Sequence, residues 1–585
     1  MCGIAGLALA RDAPPPEPRT LAKMLRALGH RGPDGTAGAI AGQVALGHRR
    51  LAVIDVAGGI QPLIEGNSVM VANAEIYNFT EIRAELPAAK FTTNSDCESA
   101  LHLWRDRGPA FTNSLRGMYA MAIYDRAIGV LTLCRDPFGI KPLYTAKIPG
   151  GIAFASEPQA LLAAGLARRD VLPRARTEML QMQFSVGRRT IFPDIERVLP
   201  GEMIRIVNGE ITARETTAAL PAGGPERMRE PEALRRLDRA LMESIELHLR
   251  SDVPIGLFLS SGIDSATILA GVARHQVRVP AYTAGFDVPG IADERPEAAK
   301  LAQQAGAEHI AINITESQTL RHLPAIAACM DDPAADYAII PTWFLARRAR
   351  QDVKVILSGE GGDELFAGYG RYRTAIRPWW RGGHRMRDRG TFSGLGVLWN
   401  DKPEWRESWA KAEQAAEHHR TRLRAAQAAD IAEWLPNDLL LKLDRCLMAH
   451  GVEGRTPLLD RAVADIAFRL PDYLKIPGNR GKYLLRRWLA GALPKARTHA
   501  PKQGFSVPVG AWIAQHGPRF GDLMAALPCV QEVADPGHVR ALFRAASGRR
   551  QSMAAWSLLF YALWHRAHIE EIPTDADVFD FLAAK

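Results

Sequence analysis

Gly256-Leu257-Phe258-Leu259-Ser260-Ser261-Gly262-Ile263-Asp264-Ser265 decides how the second half of this chain is read. An apolar run stops at a Ser/Gly turn, and an alanine-rich apolar run from Ala266 to Val272 follows at helical spacing. The pattern predicts a buried strand, a tight loop and a helix start, with Asp264 and Ser265 placed for the cap. Backbone N–H groups in such a turn, aimed by a helix N-terminus, suit a phosphate. The spacing is not the GxxxxGK[ST] phosphate loop, and that pattern occurs nowhere in the chain.

Upstream, Leu234, Leu237, Leu241, Ile245 and Leu249 recur three or four apart, which predicts an amphipathic helix over 232–250. Downstream, apolar runs at Ala281 to Phe286, His309 to Ile314 and Val353 to Leu357 alternate with helical patterns at Glu297 to Gln304 and Thr342 to Arg350. Strands alternating with helices predict a parallel sheet covered on both faces, with ligands at the carboxyl ends of its strands. A second strand end carries Ser358-Gly359-Glu360-Gly361-Gly362-Asp363-Glu364. A glycine-rich turn loaded with carboxylates suits a meeting of Mg²⁺ and polyphosphate, and Asp264 and Asp363 are the pair to hold that metal.

Bulk composition narrows the class. At 585 residues, 47% hydrophobic and 23% charged, the chain predicts a globular protein of several domains. No apolar run is long enough to span a bilayer, and prolines at 14, 15, 16 and 18 interrupt any secretory signal, so the expected compartment is the cytoplasm. Six scattered cysteines without a CxxC suggest neither a disulfide framework nor a zinc site. A net charge of +9 invites a nucleic-acid reading, and Arg371 to Arg389 holds seven arginines with Trp379 and Trp380 among them. A solvated surface insertion is the plainer account of that stretch, and nucleic acid is not expected as a partner.

The N-terminus reads Met1-Cys2-Gly3-Ile4-Ala5-Gly6. Methionine before a small residue is commonly trimmed, which would put a thiol and a free α-amine on Cys2. That amine, with an ordinary pKa of about 7.7–8.0, can act as base for its own side chain. Then come His30-Arg31-Gly32-Pro33-Asp34-Gly35, Gly47-His48-Arg49-Arg50-Leu51, Asn73-Ala74-Glu75-Ile76-Tyr77-Asn78, Ser95-Asp96-Cys97-Glu98 and Arg135-Asp136-Pro137-Phe138-Gly139. In this order they resemble the glutaminase domain of class II, N-terminal-nucleophile glutamine amidotransferases. That resemblance implies a four-layer αββα sandwich and a set of roles. Cys2 would attack the glutamine amide, while the Asn73 side chain and the Ala74 N–H form the oxyanion hole. Arg50 would hold the glutamine α-carboxylate, and Glu75 and Asp96 its ammonium end.

The Ser260 loop resembles the SGG[LI]DS loop of the ATP-pyrophosphatase family. Leu441-Lys442-Leu443-Asp444-Arg445, His450 to Asp460, Gly481-Lys482-Tyr483 and Lys502 to Trp512 follow, and the chain as a whole is similar to the glutamine-hydrolysing, B-type asparagine synthetases. The implied chemistry is adenylation of aspartate by ATP, then capture of ammonia channelled from Cys2, giving AMP, pyrophosphate and glutamate. Lys482 would stabilise phosphate charge and Glu360 would join it in catalysis. Phe258, Ser260, Ser261, Gly262, Asp264, Ser265, Ser358 and Gly359 would bind ATP. Arg455 and Asp460 read as structural ion-pair partners. A homodimer is expected by family likeness alone.

The expected fold class is α/β in a multi-domain α+β arrangement. Residues 2–205 form the glutaminase sandwich, 206–231 a linker, 232–572 the doubly wound synthetase sheet with additional helices, and 573–585 a surface tail. Two departures from the family pattern stand out, Ala74 and Ser261, each where glycine is usual. If Ala74 required a positive φ, its Cβ would cost about 1–2 kcal/mol. The same two-site chemistry on another carboxylate, such as a sugar acid or natural-product intermediate, is the alternative reading. An RNA-modifying enzyme and a non-catalytic scaffold fit less well, because neither needs Cys2, Arg50 and Asp96 together.

Overall fold

The computed structural model describes residues 2–400, 402–417, 420–478, 480–499 and 507–584. Met1 and 502–506, the latter part of the Lys502-to-Trp512 resemblance, lie outside the described residues.

Two six-stranded sheets form the first half. One orders Ile195–Arg197, Tyr144–Ile148, Gly151–Ala155, Gly3–Leu9, Val44–Arg50 and Gly35–Ala41. The other orders Glu210–Thr216, Glu202–Val207, Val130–Arg135, Gly117–Asp125, Ser68–Ile76 and Leu63–Glu65. Two-residue alternation assigns each strand two apolar faces. Ile4 and Ala8 join Leu46, Val71, Ala122 and Leu133 in the core between the sheets. Ala5 and Leu7 face Leu21, Met24 and Leu25 of the helix Pro18–Ala27. On the second sheet Val69 and Val71 point inward, while Met70 and Ala72 point out to Cys97, Ala100 and Leu101 of the helix Asp96–Arg107. Strands buried on both sides need a helical layer outside each sheet, and the αββα sandwich follows.

The second half is built on a five-stranded, all-parallel sheet in the order Glu308–Asn313, Pro280–Gly285, Ile255–Phe258, Val355–Leu357 and Glu453–Arg455. Chain order reverses on either side of Ile255–Phe258. That strand and Val355–Leu357 therefore flank the switch point where a ligand crevice opens. The helices Glu230–His248, Ile263–Arg274, Arg295–Ala305 and Ile339–Ala349 match the periodic stretches of the sequence to within a few residues. The strand Glu453–Arg455 has no apolar signature, because its charged residues are buried in ion pairs.

Three expectations need correction. The 206–231 stretch does not begin as a linker: Glu202–Val207 and Glu210–Thr216 pair as a hairpin at the edge of the second sheet. Asn208 (φ 51°) and Gly209 (φ 75°) make its two-residue turn, the conformation that Asn-Gly favours. Nor is 573–585 a surface tail. The helix Val578–Ala583, capped by the Asp577 carboxylate, buries Val578, Phe579, Phe581 and Leu582 and packs on the helix Glu316–Ala328. The basic stretch is partly internal as well. Arg371 pairs with buried Asp430 at 2.8 Å and lies 3.6 Å from the Trp434 ring centroid, whereas Trp379 and Trp380 are exposed.

Candidate active sites

The first site forms where the strand Gly3–Leu9 begins. Buried Cys2 donates its backbone N–H to Asn73 Oδ1 at 3.0 Å. Asn73 sits in the strand Ser68–Ile76 with its Nδ2 buried and without a hydrogen-bond partner among the described residues. A buried amide donor left open is costly unless a ligand oxygen completes it, and its place beside Cys2 fits an oxyanion. The neighbouring N–H has a matching reason. Ala72 and Ile76 donate their N–H groups off the free edge of the strand, to Gln61 Oε1 at 2.6 Å and Asp96 Oδ2 at 2.7 Å. Strand alternation turns the Ala74 N–H, midway between them, to the same edge. Ala74 is in regular strand, outside the positive-φ residues, so its Cβ carries none of the backbone cost considered for it.

The side chains expected to read glutamine gather around this point. The Arg50 guanidinium donates to the carbonyls of Asp55 and Val56, the latter at 3.0 Å, and so frames the loop 51–59. Gly59 lies against Arg50 and Ser95, which brings Arg50 beside the start of the Asp96 helix. Burial pushes the Asp96 carboxyl up, and the N–H groups of Ile76 and Cys97 oppose that rise. Glu75 also reaches the other half: its Oε1 lies 2.8 Å from the guanidinium of Arg455, a residue of the parallel sheet. Burial also raises the Cys2 thiol. As a neutral thiol it needs a base to become a nucleophile.

The second site lies at the carboxyl ends of Ile255–Phe258 and Val355–Leu357. Gly262, rather than Asp264 or Ser265, is the cap position of the helix Ile263–Arg274. Ser265 folds back instead, its Oγ accepting the Ser260 N–H at 3.1 Å and meeting Ser260 Oγ at 2.9 Å. Ser261 donates its N–H to a carboxyl oxygen of Glu294 at 3.2 Å, so this loop already offers an N–H to an acidic group. Ser261 also keeps a negative φ, which answers the second departure. Phe258 ends its strand half-buried, in register with Tyr282.

The acidic loop packs directly on the first. A Cβ at Gly359 would come within 2.8 Å of Asp264 Cβ and 2.9 Å of Ser265 N, so only glycine allows this approach. Ser358 is buried, donating its N–H to the carbonyl of Arg455 at 2.8 Å. Gly361 turns the chain at φ 90°, and Asp363 follows in a short helical turn. Lys482 joins the two loops. Its Nζ bonds Asp264 Oδ2 and lies 2.6 Å from Asp363 Oδ1. Burial alone would lower this lysine, but the two carboxylates outweigh it and the ammonium is pushed up to about 12. Lys482 holds the left-handed conformation (φ 62°) just before the helix Tyr483–Ala492, with its N–H on the Phe366 carbonyl at 2.9 Å. A non-glycine residue kept there is strained, and the surrounding bonds must over-determine it. Two hard carboxylates converging on one cation form a donor set that fits Mg²⁺. Glu360 is raised by burial and opposed by Lys442, which pairs with Asp336 at 2.8 Å.

Other residues of the quoted motifs take roles that their spacing does not indicate. Buried Glu364 is raised to about 8 by burial and by Asp363 beside it, and it accepts the Tyr369 hydroxyl at 2.8 Å. Arg31 donates to the Cys2 carbonyl at 3.1 Å and to Glu157 and Asp444, each at 2.7 Å. Asp444 is thereby held below the ordinary carboxylate range against the effect of burial. The contact with Asp444, in the helix Leu440–Met448, ties the sandwich to the second half. Leu51, Val53 and Met118 share one apolar core with Leu357, Met448 and Leu459, so the seam between the halves is packed interior.

Similarity to known proteins agrees with this pairing of sites. The model of the family described as asparagine synthase matches residues 236–566, and that described as glutamine amidotransferase domain matches 1–217. A relative from Mycobacterium tuberculosis is 34% identical, covering 97% of this chain and 98% of its own. Asparagine synthetase [glutamine-hydrolyzing] 1 of Bacillus subtilis is 31% identical over 98% of this chain and 97% of that protein. Asparagine synthetase B [glutamine-hydrolyzing] of Escherichia coli is 28% identical over 88% and 83%. The chain belongs to the asparagine synthase family, as a glutamine-dependent amidotransferase–ligase.

Proposed function

We propose that the protein makes asparagine from aspartate, glutamine and ATP at two pockets that share one nitrogen. The reading is carried by one observation: Lys482 sits between Asp264 and Asp363 at the ends of two adjacent parallel strands. A buried ammonium balanced by two carboxylates is poised to move onto phosphate oxygens once a triphosphate and its cation arrive. Mg²⁺ held by Asp264 and Asp363 would offset the charge of the triphosphate. Ser260, Ser261, Gly262 and Ser265 grip the pyrophosphate end, and Phe258, Ser358 and Gly359 line the nucleotide. An oxygen of the aspartate side-chain carboxylate attacks the α-phosphorus. The bond to the β-phosphate oxygen breaks, and pyrophosphate leaves an acyl-adenylate. Ammonia then adds to the acyl carbon, AMP departs with the carbon–oxygen bond pair, and the added nitrogen loses a proton, for which Glu360 is the nearby base.

The ammonia comes from Cys2. With Met1 removed, the Cys2 α-amine takes the thiol proton, and sulfur attacks the glutamine amide carbon. The oxyanion receives N–H groups from Asn73 and Ala74, the α-ammonium gives its proton to the amide nitrogen, the carbon–nitrogen bond breaks to free ammonia, and water releases glutamate from the thioester. Arg50 and Asp96 orient the amino acid, with Glu75 shared between its ammonium and Arg455. The apolar interior between the halves keeps bulk water from the ammonia on its way to the acyl-adenylate.

Pyrophosphate release against a panel of carboxylates, with glutamine or free ammonia as donor, tests the assignment. Aspartate should be the acid that triggers release. Release with a sugar acid or another carboxylate, and none with aspartate, would move the acceptor while leaving the two-site chemistry in place.

A further inference from the structure

We infer that Cys529, His565 and Glu570, none of them a residue of either pocket, form a zinc site. Cys529 lies on the short helix Pro528–Gln531, His565 in the last turn of the helix Arg549–His568, and Glu570 just beyond it. A sulfur, an imidazole nitrogen and a carboxylate oxygen from these residues all lie within 4.8 Å of one another. His565 Nδ1 and Glu570 Oε1 are already 3.0 Å apart. Ligand bonds of about 2.0–2.3 Å in a tetrahedron need donor separations of roughly 3.2–3.7 Å, so small side-chain rotations close the set.

The chemistry of the donors points to Zn²⁺. Thiolate, imidazole and carboxylate together suit a borderline-soft divalent ion, whereas Mg²⁺ and Ca²⁺ take oxygen only. The surroundings are built as an outer shell. Arg566 holds the other carboxylate oxygen, Glu570 Oε2, at 2.8 Å and so aims Oε1 at the imidazole. Arg566 is itself anchored to the carbonyls of Phe581 at 2.9 Å and Ala584 at 2.6 Å. Glu532, one turn from Cys529, is engaged by Arg176 at 2.8 Å and is not one of the three donors. Cys529 is fully buried while Glu570 is partly exposed, which gives an ion an approach from one side. Zinc here would pin the end of the long helix, the segment carrying Cys529 and the C-terminal helix together.

Titration of the full-length protein with Co²⁺ reads the site directly, because a cobalt–thiolate bond gives a charge-transfer absorption in the near ultraviolet. One ion per chain should bind with that absorption, and Zn²⁺ should displace it. Cys529→Ala should abolish the absorption, whereas Cys2→Ala should retain it. Glu570→Gln, a change near the surface, should weaken cobalt binding about tenfold or more. Absence of the absorption from the unaltered protein overturns the site. So does its survival in Cys529→Ala, or unchanged affinity in Glu570→Gln.

Discussion

Arg455 touches both pockets: its guanidinium lies 2.8 Å from Glu75 beside the cysteine, and its carbonyl accepts the Ser358 N–H of the acidic loop at 2.8 Å. The same side chain pairs with Glu453 at 2.6 Å and donates to the carbonyls of His248 and Arg250, each at 2.7 Å. A buried fork with this many acceptors is a joint between the two halves. Arg455→Ala takes from buried Glu75 the guanidinium that pairs with it and from Glu453 one of its cationic neighbours. It should destabilise the protein by about 3–5 kcal/mol in denaturant unfolding. Arg455→Lys should rescue little, because one ammonium cannot serve a planar five-donor geometry.

Asn73→Ala removes the open Nδ2 donor beside Cys2. Glutaminase kcat should fall on the order of 10²–10³-fold, the usual effect of losing one oxyanion donor. Synthesis supported by free ammonia should be unchanged, and parallel assays with the two donors check this.

Lys482→Met deprives Asp264 and Asp363 of their shared cation. Pyrophosphate release should drop by roughly 10²-fold or more with either nitrogen donor, since the lost charge stabilises adenylation itself. Glutamine hydrolysis should persist. A variant that released pyrophosphate normally would remove Lys482 from the chemistry.

Glu364 imposes a pH dependence. Its folded pKa of about 8 lies above the ordinary 4.5, so between these values the unfolded chain releases a proton that the native state keeps. Stability from this group is greatest below pH 4.5 and is lost as pH rises toward 8. Glu364→Gln keeps an acceptor for the Tyr369 hydroxyl and removes the titration. Its Tm should fall less steeply than that of the unaltered protein across this range, as thermal scans at stepped pH would measure.

Much of this was legible from residue patterns, and the exceptions have physical reasons. The loop at Ser260 and the acidic turn at Ser358 each follow an apolar strand, so periodicity and turn chemistry located them. Arg455 reads as an ion-pair partner and is one, but its strand Glu453–Arg455 and the pairing of Arg31 with Glu157 and Asp444 carry no pattern, because buried charge pairs look like surface polarity until their partners are known. The hairpin at Asn208-Gly209 had a turn signal, but its outer strand is mostly exposed and reads as loop. Phe579 and Phe581 lie in a six-residue helix, too short for periodicity to register. Arg371 reads as solvated because two of the groups that receive it, Asp430 and the Trp434 ring, lie about 60 residues further along the chain.

Cys2→Ala, assayed for asparagine formation with glutamine and separately with ammonia, tests the shared nitrogen most directly. The account predicts loss of the glutamine-supported reaction with the ammonia-supported one retained. Equal loss of both would contradict the division of labour between the two pockets.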